Sequence, residues 1–459
     1  MGKIKDLRSY ISVLEKEGRF KNVDQPVDLV HELANVAATL ARMQGNGVIF
    51  NHVKEALGSY PWPIFANAVI SPDTAALALE CKKEDIIDKM NFALDPKNGI
   101  QPKLTEQEAA WKENIITGSE INLHKLPIPT HGLHDGGPFI TGGVIVTKDP
   151  VSGRGNLSYN RMQVLGEHTF GFNVNEWRHV MQFYKVNQAK GESLPVAVAI
   201  GLDPAIMIAG GARYDGDELA IAGAIRGEAV PVTKGVTVDI DIPVHAEIVI
   251  EGYLPPDIRQ PEGPLAEFHG YYGELWESPV FEVTAICYRN QPIFQTIIPG
   301  WDEHIYIGNV LPREPLLLRF VKHVSQNVTG LHIPPYGNGF SAIVQIQKSN
   351  PGEPKNAAMA AFTAHVNIKQ VIVVDPDVNI YDPADVTWAL TNRVDWSKDI
   401  FLVEGAQGHE MDPTADMRGV HTKIGIDATY KPERRNYGDR IRYPMVDLNQ
   451  YTRNEGGNK

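Results

Sequence analysis

Apolar residues recur at helical spacing near the start of the chain: Leu7, Tyr10, Ile11 and Leu14 share one face, and Gly18 closes the run. A second stretch aligns Leu33, Val36, Leu40 and Met43 in the same way, so both helices are expected to lay these faces on a core. Apolar runs at 47–53 and 63–70 read as strands, and Ser71-Pro72-Asp73 carries the N-cap and first-turn chemistry that opens a helix through Leu79. The polar stretch 95–105 reads as a linker. From about residue 125 to 300 the pattern turns to short strands, at 139–148, 157–164, 195–201, 236–242, 246–253, 280–288 and 293–298, with few helices between. Such a run favours a closed or split barrel over a doubly wound sheet. Beyond a helix expected over 313–324, strands at 342–347 and 370–374 alternate with helices near 357–363 and 384–392. The chain is therefore expected to be α+β in three parts. These are an N-terminal α/β region over 1–110, a central β domain over 111–305, and, after a linker helix over 306–330, a C-terminal α/β domain over 331–459 with a charged tail from Tyr430.

Composition narrows the function classes. With 459 residues, 43% hydrophobic and 22% charged, the chain has room for an enclosed site and no sign of disorder or of a fibrous repeat. A net charge of -13 argues against nucleic acid, whose phosphates are bound by surplus Lys and Arg. The two cysteines, Cys81 and Cys287, form no zinc or disulfide pattern, so a reducing cytoplasm is expected. No signal peptide and no apolar run of about 18 residues is visible, so no membrane association is expected.

Familiar cofactor fingerprints are missing. Gly153-Arg154-Gly155-Asn156 begins like a dinucleotide-binding loop, yet it follows an Asp-Pro turn and leads into a strand-like run instead of a helix. Walker, GxSxG and HExxH sequences do not occur. The densest chemical segment is 261–271, where Glu262, Glu267 and His269 sit among Gly and Pro. An irregular backbone there can turn both carboxylates into one cavity, and Phe268 and Tyr271 can exclude water and raise a carboxyl pKa. A second cluster, Asn156 to Met162, reads as a strand with Arg161 on a half-apolar face. A carboxylate partner there would satisfy its guanidinium fork.

Gly136-Gly137-Pro138-Phe139-Ile140-Thr141-Gly142-Gly143, the turn at Asp149, Asn156 followed by Arg161, and Glu262-Gly263-Pro264 with Glu267-Phe268-His269-Gly270-Tyr271 together resemble the UbiD decarboxylases. The resemblance continues from Lys369 to Asp377 and through Gly425-Ile426-Asp427-Ala428-Thr429, and so covers nearly the whole chain. It implies a split-barrel domain that binds prenylated FMN, followed by a C-terminal oligomerisation domain in a homodimer or homohexamer. It also implies reversible, non-oxidative decarboxylation of an aromatic, heteroaromatic or α,β-unsaturated acid through a covalent adduct with the flavin. In this reading Arg161 orients the carboxylate, Glu262 holds Arg161, and Glu267 is the proton donor. Asn156, His179 and Glu218 match the ligands of a divalent ion, typically Mn2+, at the flavin phosphate. Ser158, Tyr159, Asn160, Arg161, Met162 and Lys369 match flavin contacts. Potassium accompanies the phosphate in the family, although the loop from Ala209 to Glu218 is shorter here. His304 falls where family members contact the substrate ring and would favour a hydroxylated or heteroaromatic acid. The implied partners are a small carboxylic acid and a flavin prenyltransferase that supplies the cofactor. The alternatives are an FMN-dependent redox flavoprotein built on a split barrel, and a noncatalytic flavin carrier.

Overall fold

The computed structural model describes residues 3–54, 60–300, 302–441, 443 and 446–447. Its first helix, Leu7–Lys16, is capped by the Asp6 carboxylate on the Ser9 amide and buries Leu7, Tyr10, Ile11 and Leu14, the face that the spacing predicts. The second, Glu32–Gln44, is rotated from expectation: Leu33, Ala34, Ala37 and Ala41 are buried, Val36 and Leu40 are half-buried, and Met43 is 78% exposed. A stripe of alanines lets the helix approach its neighbours closely, and that close packing decides which face goes in. The sheet of this region joins Phe20–Val23, Gly47–Phe50 and Ile64–Ala66 to Phe294–Gln295, which returns from much later in the chain. The Glu303 carboxylate pins the same junction by accepting from the amides of Asn67 at 2.9 Å and Ala68 at 3.0 Å.

The central domain is a curled sheet of ten strands. Its path runs Phe139–Ile140, Met162–Val164, Thr169–Phe172, Trp276–Tyr288, Ile248–Leu254, Leu194–Ile200, Val144–Lys148 and Gly155–Tyr159, with Asn114–Thr117 and Arg259–Glu262 also paired to Trp276–Tyr288. All of these pairs are antiparallel. Two runs that read as single strands are each broken in two, at 141–143 and at Asn160-Arg161. The second break lies at the split in the barrel. Gly155–Tyr159 ends one side of the sheet and Met162–Val164 lies near the other end, so Asn160 and Arg161 carry the chain across the opening.

The stretch 236–242 is not one strand. Pro231–Lys234 and Asp241–Pro243 pair across a loop whose Val236 and Thr237 amides are held by the buried Glu251 carboxylate. The linker-like 95–105 supplies Lys103–Leu104 as a third strand to that small sheet. Three helices also interrupt the strand series, His179–Gln188, Pro204–Gly211 and Glu218–Arg226.

A π-helical turn, Tyr306–Val310, leads into the helix Leu311–Val324, which the buried Glu314 ties to the C-terminal sheet through His332 at 2.8 Å and the Ile333 amide at 2.9 Å. That sheet has five strands, in the order Val328–His332, Ser341–Ile346, Gln370–Val374, Val420–Asp427 and Ile400–Gln407. The helices Glu353–Ala364 and Pro383–Arg393 complete the C-terminal region. Among the described residues no helix is long and apolar enough to cross a membrane.

Candidate active site

Arg161 meets two carboxylates, 101 and 106 residues further along the chain, where the barrel opens. Arg161 binds Glu262 through both arms of its fork, Nε to Oε1 at 2.8 Å and Nη2 to Oε2 at 3.0 Å, and its Nη1 donates to Glu267. Asn173, on the segment that follows the strand Thr169–Phe172, donates to Glu262 Oε2 at 2.9 Å. The Glu262 side chain has no exposed surface, and those of Arg161 and Glu267 retain 10% and 14%. A bidentate, hydrogen-bonded geometry is what makes an ion pair tolerable at this depth, because its charges are desolvated.

The local sequence explains the convergence. Glu262 ends the strand Arg259–Glu262, and the turn after it packs against the segment around Gly136 so closely that a Cβ at Gly136 would lie 2.0 Å from the Gly263 carbonyl oxygen. Gln163 rivets the two segments, accepting from the Gly263 amide at 2.7 Å and donating to the Gly136 carbonyl at 2.8 Å. Glu267 sits in a tight turn in which its own amide bonds the Tyr271 carbonyl, and at Gly273 a Cβ would crowd both the Arg161 guanidinium and the Glu267 carboxylate. The glycines of this segment therefore make room for the acid and its partner.

Burial pushes the Glu267 carboxyl up to about 7; Arg161 opposes the rise and the nearby Glu262 adds to it. An acid tuned in this way holds its proton near neutrality and can still release it.

A second cluster gathers Asn156, His179 and Glu218. Asn156 lies on the strand Gly155–Tyr159, and His179 and Glu218 are the first residues of their helices. The Asn156 amide nitrogen lies 3.0 and 3.1 Å from the two Glu218 oxygens and 3.3 Å from His179 Nδ1, and Glu218 also accepts from the Leu157 amide at 2.8 Å. Burial raises the Glu218 carboxyl to about 8 and lowers the His179 imidazole, so each disfavours its charged form. The Asn156 side-chain oxygen Oδ1 is buried with no hydrogen-bond partner among the described residues. One orphan oxygen, one desolvated carboxyl and one neutral imidazole make a donor set that a hard cation would complete.

The other residues singled out in the sequence fall in several places. Ser158 donates to Asn160 Oδ1 at 3.0 Å, Asn160 donates to the Asn173 carbonyl at 3.0 Å, Met162 is fully buried, and the buried Tyr159 hydroxyl has no partner among the described residues. His304 caps its own turn, accepting from the Gly300 amide at 3.0 Å, and meets the Phe268 ring edge-on at 6.4 Å; burial lowers it to about 4. Lys369 lies in the C-terminal region, its ammonium held by Asp412 at 2.7 and 2.9 Å and by the Thr414 hydroxyl at 2.9 Å, and over the Phe340 ring at 5.1 Å. Sequence reasoning missed Asn173, for which the only signal is an amide directly after the apolar strand that flanks Glu262, and Phe268 as a hub. The Phe268 ring also meets Phe340 at 5.4 Å and His409 at 5.5 Å, so C-terminal residues wall the space beside Glu267.

Comparison with known proteins bears on this arrangement. Three domain families match in order: the N-terminal domain of 3-octaprenyl-4-hydroxybenzoate carboxy-lyase over residues 11–94, its Rift-related UbiD domain over 103–302, and its C-terminal domain over 306–428. The chain is 35% identical over 424 residues to the anhydromevalonate phosphate decarboxylase of Methanosarcina mazei, covering 92% of this chain and 95% of that one. The UbiD-class enzyme HmfF of Pelotomaculum thermopropionicum, solved with FMN, superposes with a TM-score of 0.91 at 36% identity, covering 97% of this chain and 100% of that one. An evolved dimeric form of HmfF, solved with prenylated FMN, gives 0.88 at 34% identity, over 98% of this chain and 100% of that one. Fold and site thus define a carboxy-lyase that works without oxidation. The chain belongs to the UbiD family.

Proposed function

We propose that this chain reversibly decarboxylates an aromatic, heteroaromatic or α,β-unsaturated acid, with Arg161 orienting the carboxylate and Glu267 delivering the proton. The observation that carries this assignment is the buried contact of one guanidinium with two carboxylates, one of which titrates near neutrality. Prenylated FMN, when bound, supplies the electron sink that loss of CO2 from an sp2 carbon requires and that side chains cannot offer. Glu262, itself held by Asn173, fixes the Arg161 fork by occupying Nε and Nη2, which leaves Nη1 as the face open to a substrate. A carboxylate that takes Nη1 displaces Glu267 from it. The protonated Glu267 is then free to turn toward the carbon that loses CO2, and the partly closed site keeps bulk water from competing. Coexpression with a flavin prenyltransferase, followed by anaerobic assay of CO2 release from a panel of aromatic and unsaturated acids that includes anhydromevalonate phosphate, tests the reading. The absence of CO2 from every acid by flavin-loaded protein would refute it.

The set Asn156, His179 and Glu218 suits a divalent cation of the manganese type, whose charge would offset that of the flavin phosphate. Glu218→Gln keeps the shape of the side chain and removes its charge. This substitution is expected to weaken Mn2+ binding at least ~10-fold and to lower flavin retention through desalting, read by metal content and flavin absorbance. Wild-type levels of both would remove Glu218 from the ligand set.

The raised carboxyls also set a pH dependence. Glu267 and Glu218 hold protons more tightly in the folded protein than their ordinary value of 4.5, at about 7 and about 8. Their contribution to stability is therefore full below about pH 4.5 and declines as pH rises through these folded values, by up to about 3 kcal/mol for Glu267. The Tm of the unloaded protein is expected to fall between pH 5 and 8, with less fall in Glu267→Gln; equal slopes would contradict the tuned carboxyl.

A further inference from the structure

Glu267 sits on a hairpin, and a carboxylate outside the trio holds that hairpin. The Glu267 amide donates to the Tyr271 carbonyl at 2.9 Å and the Gly273 amide to the Leu265 carbonyl at 2.8 Å, so residues 265–267 and 271–273 form two antiparallel arms. Amides alternate in direction along such an arm, so the Ala266 amide points away from the partner arm. Asp135 meets it there, its Oδ1 accepting at 3.0 Å. Beside this contact the Gly136 amide donates to the Pro264 carbonyl at 2.8 Å. The Asp135 side chain thus continues a backbone ladder in place of a carbonyl.

The turn that carries Asp135 is itself closed and anchored. Asp135 Oδ2 accepts from the Gly132 amide at 2.6 Å, and the Asp135 amide donates to the Gly132 carbonyl at 3.2 Å. A Cβ at Gly132 would lie 2.8 Å from the Tyr272 hydroxyl, so the same turn presses on the second arm of the hairpin. His131, immediately before the turn, is buried, and its Nε2 lies 2.7 Å from the hydroxyl of Thr296, just past the strand Phe294–Gln295. A carboxylate with each oxygen on a backbone amide makes charge-assisted, directional bonds. Asp135 is therefore the link between an anchored turn and the backbone of the acid.

We infer that Asp135 is a positioning residue for Glu267: by holding the Ala266 amide it keeps the backbone of the acid fixed, so that side-chain rotation alone carries the carboxyl from Arg161 Nη1 to the substrate. This rests on the decarboxylase reading and deepens it, because a group that must leave one partner and reach another needs a rigid base. Asp135 also brings a negative charge to the site. Burial above all, then Glu262 and Asp135, push the Glu267 carboxyl up, and Arg161 opposes them. The imidazoles of His269, on the same hairpin, and of His304, across the Phe268 ring, are kept neutral near pH 7 by burial, so neither stands in for the Asp135 charge.

The test measures kcat and KM against pH for Asp135→Ala and Asp135→Asn, loaded with prenylated FMN, on an acid that the wild type decarboxylates. Asp135→Ala is expected to lower kcat about 10–100-fold with KM within about 2-fold, the loss that a small misplacement of a reacting group brings. Asp135→Asn keeps one oxygen for the Ala266 amide and should restore part of that rate. In both variants the decline of the rate with rising pH should begin about 0.5 pH unit lower, since a negative charge beside Glu267 is gone. A second measurement needs no turnover: the infrared carbonyl stretch of the protonated Glu267 carboxyl, assigned by its absence in Glu267→Gln, should titrate with the same lowered midpoint. Asp135→Asn carries both measurements if Asp135→Ala fails to fold. Wild-type kcat in Asp135→Ala, a loss confined to KM, or an unmoved pH limb and infrared midpoint overturns the proposal. Loss of flavin from the variants also overturns it, because Asp135 would then serve the cofactor. A wild type that releases CO2 from no acid would refute the decarboxylase reading, and the infrared midpoint would still decide whether Asp135 acts on Glu267.

Discussion

Glu267→Gln is expected to lower kcat by about 10²–10⁴-fold, the range that a positioned general acid contributes, while flavin content stays at the wild-type level. The amide matches the carboxyl in size and can still accept from Arg161 Nη1, so the geometry of the trio survives. It cannot release an acidic proton. The loss should therefore fall on kcat more than on KM, because the interaction removed acts at the protonation step. In wild-type protein the rate should decline as pH rises past about 7, where Glu267 gives up its proton, and the remaining rate of the variant should lack that limb. A variant that retains full turnover would remove Glu267 from the chemistry.

Arg161→Leu is expected to be the more damaging change to the protein itself. It leaves Glu262 fully buried with only Asn173 bonded to it, and breaking a buried pair by removing one partner costs about 3–5 kcal/mol. Urea unfolding would read the loss as a lower midpoint with an unchanged slope. Arg161→Lys separates charge from shape, because a lysine keeps the cation but cannot reproduce the two-armed contact. It should recover part of the stability and little of the activity. Loss of less than about 1 kcal/mol in Arg161→Leu would contradict the reading of a tightly coupled trio.

The sequence made the outline of the fold legible wherever periodicity was strong. The face of Leu7, Tyr10, Ile11 and Leu14 is buried as its spacing predicts, and the strand Gln370–Val374 appears at its expected place. Apolar counting failed where small residues or single polar atoms decide the outcome. The second helix turns its alanines inward and exposes Met43, and 236–242 opens into a loop because Glu251 offers its amides a carboxylate. In the site, Glu262 and Glu267 stood out among Gly and Pro, and Arg161 stood out as a charge on a half-apolar face. That the three touch is a property of the barrel's opening, 101 residues of chain apart for Arg161 and Glu262, and no local pattern carries it. The gathering of Asn156, His179 and Glu218 came from resemblance, because a lone histidine and a lone glutamate have no spacing signature. Lys369 likewise came from resemblance; its ammonium bonds Asp412 and Thr414.

Phe268 has a consequence for how such a protein can change its diet. The ring follows Glu267 in the chain, yet three of its aromatic neighbours, His304, Phe340 and His409, come from later in the chain, two of them from the C-terminal region. Replacements at those three positions would reshape the walls that meet incoming molecules without touching any atom of the reacting machinery. A lineage could thus acquire new nutrients by tinkering with one region while the ancestral chemistry is inherited intact in the other.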